Sequence, residues 1–275
     1  MSGTQWIAGK NCPLCGGEGV AIGEKDGHVL RECNGITYSP VFPCDPHPPI
    51  LLSWQWESVA ALERMYYEDD LYHSQCVAQE GGYAPMEERD NECLVAGNAR
   101  INTLLHLYGI PAPGLRFLDV GCGTGALVKV ATQYGYEAYG IEPSATLVNW
   151  AQAHGRRVSI GTWQRASGAI LWSFIFLTDV MEHLVDPIGC LRYMRAIMAD
   201  DGVCVLEVPE WDCGAARSQG VQWVHCKPLQ HLAIPSVGAA EAMINKAGLY
   251  VDALVRPRPG GRELSKMVLY CRKFA

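Results

Sequence analysis

Three glycines and an acid stand where an apolar strand is predicted to turn into a helix. The segment reads Leu118-Asp119-Val120-Gly121-Cys122-Gly123-Thr124-Gly125. Residues 117–120 form a short apolar run of strand type, and residues 126–132 begin a helical pattern. Glycine adopts unusual backbone angles and lets a ligand approach the main chain, and the first turn of the helix offers unpaired amide hydrogens. The segment therefore predicts a binding site for a small molecule of the nucleotide type.

The acid in this segment discriminates between two kinds of nucleotide-type ligand. Gly121, Gly123 and Ala126 also satisfy the dinucleotide pattern, in which a diphosphate lies at the helix N-terminus. Asp119, two residues before the first glycine, would repel a diphosphate but attract an ammonium and a sulfonium group. S-adenosylmethionine carries both of these cations, so the segment favours that cofactor over NAD.

A second acid ends the next predicted strand, which covers residues 138–141. Glu142 lies 17 residues after Gly125 and is followed by Pro143 and Ser144. At a strand tip its carboxylate can accept hydrogen bonds from the hydroxyl groups of an adenosine ribose. Two neighbouring strand tips are therefore expected to face one ligand.

A third polar segment, residues 178–187, follows the fourth predicted strand, which covers residues 173–177. Ligands of parallel sheets bind beyond the carboxyl ends of the strands, so Asp179 and His183 are expected near the glycine turn. An imidazole titrates near neutral pH, which makes His183 a candidate base for removing a proton from an acceptor. Two alternatives stay open: His183 braces its own loop, or Asp179, Glu182 and His183 hold a divalent cation that acidifies a catechol-like acceptor.

Two later histidines lie after the fifth predicted strand, in the segment 223–232. His231 is a second candidate base and His225 a third. A lone loop histidine is more often simply solvated, so both are weaker candidates than the glycine turn.

The N-terminal region contains half of a zinc motif. Cys12 and Cys15 are separated by two residues, which suits tetrahedral zinc. The matching second pair is incomplete, because Ile36 stands three residues after Cys33. Cys44 could complete the site from farther along the chain. The zinc ligands predicted are therefore Cys12, Cys15, Cys33 and Cys44, and the alternative is a ribbon that has lost its metal.

The order of predicted elements indicates an α/β protein in three parts. Residues 1–50 are rich in cysteine, glycine and proline and form a small module, and residues 51–112 carry helical patterns at 53–67 and 90–108. From residue 113 strands and helices alternate, which is typical of a Rossmann-like, doubly wound parallel sheet. The expected strands are 158–160, 173–177 and 203–208, the expected helix is 187–198, and strands 249–255 and 266–272 should form an antiparallel hairpin at one sheet edge.

Composition excludes several classes of protein. The 275 residues are 49% hydrophobic, enough for one sizeable core and a small extra module. A net charge of −7 makes nucleic acid a poor partner, because phosphate binding requires concentrated positive charge. The longest apolar stretch, 168–177, is too short to span a bilayer, and the first ten residues lack a secretory pattern. We therefore expect a soluble cytoplasmic protein whose twelve cysteines are reduced or bind metal.

On these motifs the chain resembles the class I S-adenosylmethionine-dependent methyltransferases. Residues 118–125, 142–144, 179–187 and 231–232 match in order, and the resemblance covers about residues 90–275. Within that superfamily the chain is most similar to the branch of ubiquinone-pathway O-methyltransferases and sugar C-methyltransferases, some of which carry an N-terminal zinc module. The first motif is specific for the cofactor, whereas none is specific for an acceptor.

The resemblance implies roles for individual residues. Asp119, Gly121 and Gly123 would line the methionine part of the cofactor, and Glu142 would lie at the ribose. Thr162 and Trp163 would flank the adenine. The other residues expected to bind the cofactor are Cys122, Pro143 and Asp179. His231 occupies the position of the base in the sugar-modifying relatives. Gln230 replaces their neighbouring acid and Pro228 their common tyrosine, which weakens the case for sugar C-methylation.

The function expected from the sequence is methyl transfer to an oxygen or carbon of a small-molecule acceptor, with His183 or His231 as general base. Two other classes stay open: an NAD-dependent oxidoreductase, which Asp119 disfavours, and a non-catalytic protein that binds the cofactor without turnover. Alignment of nucleophile, methyl group and sulfur can supply most of the acceleration, so a base is needed only if the acceptor must lose a proton.

Overall fold

The computed structural model describes residues 12, 14, 20–25, 28–33, 50–53, 85–110, 112, 114–227, 230–256 and 265–274. The chain divides into two compact units. One, which we call the glycine-turn unit, comprises Leu62–Thr178 and Ala196–Cys204. The other, the histidine unit, comprises Met1–Ala61, Asp179–Arg195 and Val205–Ala275.

Eleven strands are present in the described residues: β1 Val20–Lys25, β2 His28–Cys33, β3 Ile50–Ser53, β4 Arg116–Val120, β5 Glu137–Glu142, β6 Val158–Ile160, β7 Trp172–Thr178, β8 Met198–Pro209, β9 Ala233–Pro235, β10 Leu249–Val255 and β11 Lys266–Lys273. The helices in the same residues are α1 Met86–Tyr108, α2 Ala126–Gln133, α3 Ala145–Ala153, α4 Pro187–Ile197, α5 Gly214–Gln219 and α6 Val237–Lys246. Three short 3-10 turns cover Trp163–Arg165, Met181–His183 and Gly220–Gln222.

A mixed sheet of seven strands has the order β10-β11-β8-β7-β4-β5-β6. Strand β4 pairs in parallel with β5 and with β7, and β5 pairs in parallel with β6. Strands β10 and β11 form an antiparallel pair at the sheet edge. After β4 the chain adds β5 and β6 on one side of it, and then β7 on its other side. The carboxyl end of β4 therefore lies at a topological switch point.

Local sequence explains where the helices begin and end. Helix α1 has Glu87 and Glu88 in its first turn, where acids favour the positive end of the helix dipole, and it ends at Gly109 with φ of 82°. Ser144 caps α3 and Ser236 caps α6, each hydroxyl accepting a hydrogen bond from a backbone amide of the first turn. Helix α2 begins directly after the glycine turn and buries mainly apolar residues.

The core of the glycine-turn unit lies against β4. Phe117 is fully buried and stacks on Phe176 of β7, with ring centroids 4.8 Å apart. Tyr136 lies edge-on to Phe174, with centroids 5.5 Å apart. Burying aromatic rings on both strands holds β4 and β7 in register and places the ends of the two strands side by side.

The structure confirms the α/β fold predicted from the sequence and the edge hairpin. Strand β6, helix α4 and strand β10 match their predicted ranges to within one residue. Helix α1 begins four residues earlier than expected, and β8 begins five residues earlier and continues directly from α4. The helix predicted at 53–67 lies outside the described residues except for Ser53, which instead ends β3.

The histidine unit contains a second sheet, of order β1-β2-β3-β9, whose neighbours all pair antiparallel. Leu30, Trp211 and Trp223 belong to the apolar cluster in this unit. The domain limits at residues 50 and 112 stay predictions. Among the described helices, none combines the length and apolar character that crossing a membrane requires.

Candidate functional site

The glycine turn begins where β4 ends. Gly121, Gly123 and Gly125 have φ of 69°, 55° and 73°, in the left-handed region that side chains other than glycine rarely adopt. The amides of Gly121 and Cys122 donate to the carbonyl of Ile141 at 2.8 and 3.2 Å. A side chain at Gly123 would meet no described atom within 4 Å, so open space borders the turn at this position.

Glu142 ties this turn to the end of β5. Its Oε2 accepts a hydrogen bond from the amide of Gly123 at 2.9 Å, and its Oε1 accepts one from the amide of Ser144 at 2.9 Å. Each carboxylate oxygen has a second lone pair, so the side chain is fixed in orientation and can still accept bonds from a ligand hydroxyl. Glu142 therefore lies at the end of its strand, as the sequence predicted, while its role in binding the ribose stays a prediction.

Asp119 is an acid in an apolar environment. It is 3% exposed, and burial, with a smaller contribution from Glu142, raises the pKa of Asp119 to about 7; the charge of Arg100 opposes this shift. A buried carboxylate without enough positive partners is costly, and a bound cation would relieve that cost.

Together these features fit the cofactor expected from the sequence. The open space beside Gly123 admits a ligand, and the buried acids Asp119 and Glu142 suit an ammonium and a pair of hydroxyl groups. A diphosphate would instead meet two carboxylates. These residues are the ones that could hold S-adenosylmethionine.

Gly140 in β5 allows the turn to pack closely on the neighbouring strand. A Cβ at this position would lie 2.5 Å from the Cys122 sulfur and 2.9 Å from Cγ2 of Val128. Burial raises the pKa of the Cys122 thiol well above its ordinary value, so this thiol is protonated. Cys122 packs closely on β5, while its predicted place in the cofactor site stays a prediction.

The other sequence-predicted cofactor residues occupy the expected strand ends. Pro143 is half-buried and follows β5. Thr162 and Trp163 follow β6, and both are half-buried. Ile160 of β6 pairs with Glu142 of β5. Thr162 and Trp163 follow Ile160 by two and three positions, so they come just after the strand position beside Glu142. Contact of these residues with adenine stays a prediction.

Helix α1 supplies charged residues near the glycine turn, which the helical pattern at 90–108 did not predict. Asp90 is buried and accepts hydrogen bonds from Arg156 and from the Thr124 hydroxyl, and Arg100 places a positive charge toward Asp119. The only sequence signal was a charged residue at a position that should face the core of an amphipathic helix. That signal does not identify the partner.

The two histidines proposed separately as bases lie together in the histidine unit. The rings of His183 and His231 have centroids 4.7 Å apart and meet edge to face. Nδ1 of His183 lies 2.8 Å from the carbonyl oxygen of Gln230, and Nδ1 of His231 lies 2.8 Å from that of His225. A carbonyl only accepts, so each Nδ1 carries the hydrogen and each Nε2 keeps a lone pair.

Both imidazoles are neutral at pH 7. Burial lowers the pKa of His183 to about 4 and lowers the pKa of His231 well below its ordinary value. The hydrogen bond from His183 to the carbonyl of Gln230 also supports the predicted alternative, in which His183 only braces its loop. Geometry therefore permits both a structural and a proton-accepting role.

Glu182 adds a buried carboxyl group to the pair. It is fully buried, and neither of its oxygens has a hydrogen-bond partner in the described part of the chain. Burial, assisted by the nearby Asp179, raises its pKa well above the ordinary value. One atom each from Glu182, His183 and His231 lie within 4.8 Å of one another, and two imidazoles with a carboxylate are a donor set that suits a divalent cation.

Asp179 has a partner that the sequence did not reveal. It follows β7 with φ of 54°, the only positive φ of a non-glycine residue in the described ranges. Its carboxylate accepts a hydrogen bond from Lys266 at 2.6 Å, and Glu207 lies 3.5 Å from the same ammonium group. Burial alone would lower the pKa of Lys266, but these two carboxylates raise it. The cofactor role of Asp179 stays a prediction.

The predicted zinc ligands fall largely outside the described residues. Cys15, Cys44 and the side chain of Cys33 lie outside the described part of the chain. Cys12 is buried.

Comparison with known proteins identifies the family. The model of a methyltransferase domain matches residues 88–254, which is more than half of the chain. A ubiquinone biosynthesis O-methyltransferase of Rhodopseudomonas palustris strain HaA2 is 29% identical over 119 residues, covering 40% of this chain and 47% of that protein. One from Caulobacter sp. strain K31 is 28% identical over 104 residues, covering 35% and 41%. The chain thus spans less than half the length of these curated relatives.

Solved structures agree on the fold. The magnesium protoporphyrin IX methyltransferase of Synechocystis PCC 6803, with bound SAH, has a TM-score of 0.57 at 13% identity and covers 78% of this chain and 99% of its own. A glycopeptide N-methyltransferase complexed with sinefungin has a TM-score of 0.51 at 14% identity, covering 64% and 94%. Helix α1, the glycine turn and most of the seven-stranded sheet all fall within the matched domain, and the chain belongs to the methyltransferase domain family.

Proposed function

We propose that this protein transfers a methyl group from S-adenosylmethionine to an oxygen or carbon of a small-molecule acceptor. One observation carries the proposal: the buried acids Asp119 and Glu142 end two adjacent parallel strands and border an open glycine turn. In a chain of the methyltransferase domain family, this arrangement suits a cationic adenosyl ligand.

The side chains of the glycine-turn unit bind and orient the donor. Asp119 attracts the ammonium group, Glu142 accepts hydrogen bonds from the ribose, and Thr162 with Trp163 flank the adenine. When bound, the cofactor supplies a methyl group on a strongly electrophilic sulfonium. Correct alignment of the acceptor then provides most of the rate acceleration.

Oxygen is the first choice of acceptor atom. The curated relatives carry the name ubiquinone biosynthesis O-methyltransferase, although they match only part of their length. Carbon is retained because His231 matches the base position of the sugar-modifying branch. Gln230 beside it is buried, where that branch carries an acid, which favours oxygen.

We assign the general base to the pair His183 and His231. Each ring is neutral, and Nδ1 of each lies against a carbonyl, so Nε2 is the atom that would take a proton from the acceptor. The two ring centroids are 4.7 Å apart, so a charge on His183 disfavours protonation of His231 and the pair takes up one proton at a time.

A second mode of acceptor activation rests on the buried carboxyl of Glu182. A divalent cation held by Glu182, His183 and His231 would acidify a coordinated hydroxyl of the acceptor, so no free base would be needed. Treatment with a chelator separates the modes: base catalysis survives it, whereas metal activation is lost and returns when Mg²⁺ or Zn²⁺ is added.

The donor is tested by isothermal titration of the full chain with S-adenosylhomocysteine and, separately, with NADH. We expect S-adenosylhomocysteine to bind and NADH not to bind. Tight binding of NADH alone would reject methyl transfer in favour of an oxidoreductase.

The acceptor is tested by incubating the chain with radiolabelled donor and a panel of phenols, sugars and amines. Label transfer to phenols or sugars is expected. Silence across the panel despite cofactor binding would favour a non-catalytic binding protein.

The base is tested by His183→Gln and His231→Gln. Each should lower kcat by about 100-fold and leave the affinity for S-adenosylhomocysteine unchanged. A fall in cofactor affinity without a fall in kcat would contradict the assignment.

The N-terminal zinc and the cellular location are also proposals. Cys12, Cys15, Cys33 and Cys44 would hold about one Zn²⁺ per chain, which elemental analysis of purified protein would detect and Cys12→Ser would abolish. A cytoplasmic location is proposed from the cysteine usage of the sequence, in which reduced or metal-bound thiols are expected. Metal-free wild-type protein, or fractionation outside the cytoplasm, would contradict these proposals.

A further inference from the structure

A buried ion pair between Asp90 and Arg156 contacts the glycine turn. Asp90 of α1 accepts two hydrogen bonds from Arg156, one from each terminal nitrogen, at 2.5 and 2.6 Å. Both side chains are at most 7% exposed. Burial opposes ionisation of Asp90, but the hydrogen bonds from Arg156 and Thr124 outweigh it and lower its pKa, so the pair is charged.

Stability alone does not explain such a pair. Removing two charges from water costs several kcal/mol per ion, and apolar replacements of a buried pair are often neutral or stabilising. The arrangement also leaves one group unsatisfied, because Nε of Arg156 is buried without a hydrogen-bond partner in the described residues. We therefore expect the ion pair between Asp90 and Arg156 to have a role other than stabilising the fold.

The remaining bonds of the pair are directed at Thr124 in the glycine turn. The Thr124 hydroxyl donates to Asp90 at 2.7 Å, and its backbone carbonyl accepts from Arg156 at 2.8 Å. The side chain and the main chain of one residue are thus held by opposite members of the same pair.

Thr124 stands between the two glycines that shape the turn. On one side, Gly123 donates to Glu142. On the other, a Cβ at Gly125 would lie 2.8 Å from Val158 and 3.3 Å from Cδ of Arg156, so the stem of the arginine packs against the turn. The guanidinium also lies 4.9 Å from the ring centre of Trp150, which limits its movement.

We infer that Asp90 and Arg156 are positioning residues of the donor site: through Thr124 they hold the glycine turn in the conformation that binds the cofactor. The inference rests on the proposed donor site and makes α1 part of it. A positioning role predicts that the pair controls donor affinity beyond its effect on folding.

Single and double variants separate the two effects. Asp90→Asn leaves a buried arginine charge uncompensated, so it should lower the thermal midpoint and weaken S-adenosylhomocysteine binding by about tenfold or more. The double variant Asp90→Leu with Arg156→Met removes both charges; its thermal midpoint should return to that of the wild type or exceed it, while binding stays weakened. Recovery of both midpoint and affinity in the double variant would overturn the inference.

Thr124 provides an independent test that leaves the pair intact. Thr124→Val removes the hydroxyl while keeping the shape, and should weaken S-adenosylhomocysteine binding by about three- to tenfold, with a smaller fall in thermal midpoint than Asp90→Asn because the ion pair stays intact. Thr124→Ser keeps the hydroxyl and should restore affinity. Wild-type affinity in Thr124→Val would overturn the inference even if the Asp90 variants fail to fold.

The matched control is the exposed ion pair between Arg116 and Glu137 in the same unit, 3.4 Å apart. Glu137→Gln should leave both the affinity and the midpoint unchanged. If wild-type protein does not bind S-adenosylhomocysteine at all, the proposed function fails. If wild type and the Asp90 and Thr124 variants bind equally well, only the positioning role fails.

Discussion

Two buried acids, Asp119 and Glu142, lie at neighbouring strand ends in the proposed donor site. Glu142 is satisfied by two backbone amides, whereas Asp119 has a pKa near 7 because burial penalises its charged form. The same carboxyl group therefore disfavours the ligand-free folded state at high pH and favours a cationic ligand. Function and stability oppose each other at this residue.

Binding of S-adenosylhomocysteine should strengthen as the pH rises from 6 to 8. Deprotonated Asp119 attracts the ligand's ammonium group, and its fraction increases through a pKa of about 7. Asp119→Asn should weaken binding at pH 8 by about tenfold or more and flatten the pH profile. Titration calorimetry at three pH values measures this, and a pH-independent wild-type affinity would contradict the prediction.

Asp119→Asn should also stabilise the ligand-free protein at pH 8. The pKa of Asp119 in the folded protein is above its unfolded value of about 3.9. The stability that the protonated carboxyl group allows is therefore fully present below about pH 4, and it is lost as the pH rises through about 7. The variant avoids this loss and should gain on the order of 1–4 kcal/mol. Urea unfolding at pH 5 and pH 8 would show it, and a variant less stable than wild type at pH 8 would contradict it.

His183 should stay neutral well below the pH at which a solvated histidine is protonated. Its pKa near 4 means that this imidazole stabilises the folded state above about pH 6.5 and that the contribution is lost as the pH falls toward 4. NMR of ring-labelled histidine, assigned with His183→Gln, measures the titration. A midpoint near 6.5 for this ring would be incompatible with its burial in the folded protein.

At the scale of elements, the glycine turn depends on what β5 and α1 present to it. Strand β5 contributes Glu142 and the bare surface of Gly140, and α1 contributes Asp90 and Arg100. Helix α1 also packs closely on α2, because a Cβ at Gly97 would lie 3.3 Å from Val130. The turn is therefore supported by elements distant in sequence.

Gly140→Ala should damage the turn through packing. The new methyl group would lie 2.5 Å from the Cys122 sulfur, so the turn must shift, at a cost of about 1–3 kcal/mol and with weaker donor binding. Adding Cys122→Ala removes the sulfur and should restore part of both losses. Thermal unfolding and calorimetry measure them; an unperturbed Gly140→Ala protein would show that the contact is not tight.

At the scale of the molecule, cofactor binding should couple to folding. A ligand at 100 times its Kd that binds only the native state stabilises it by about 2.7 kcal/mol. For a chain of this size, we expect S-adenosylhomocysteine to raise the thermal midpoint by roughly 5–10 °C, with no change from NADH. An equal shift with both ligands would argue against a site selective for the adenosyl donor.

The local patterns of the sequence predicted the fold and the donor site in outline. Strand β6, helix α4 and the β10–β11 hairpin appear where hydrophobic periodicity and turn residues indicated. The glycine turn and the acid at each strand tip were found because residues close in sequence determine a strand–turn–helix unit. The helix predicted at 53–67 and most zinc ligands fall outside the described residues and stay predictions.

The partners of charged residues were decided only in the tertiary structure. Asp90 and Arg156 are 66 positions apart, and Asp179 and Lys266 are 87 apart. The sequence by itself determined which residues could bind a cationic nucleoside and on which strand ends they stand, because strand and helix signals are local. Which buried charges neutralise one another, and that His183 meets His231, depends on how distant segments pack, because hydrogen bonding and desolvation act through space and not along the chain.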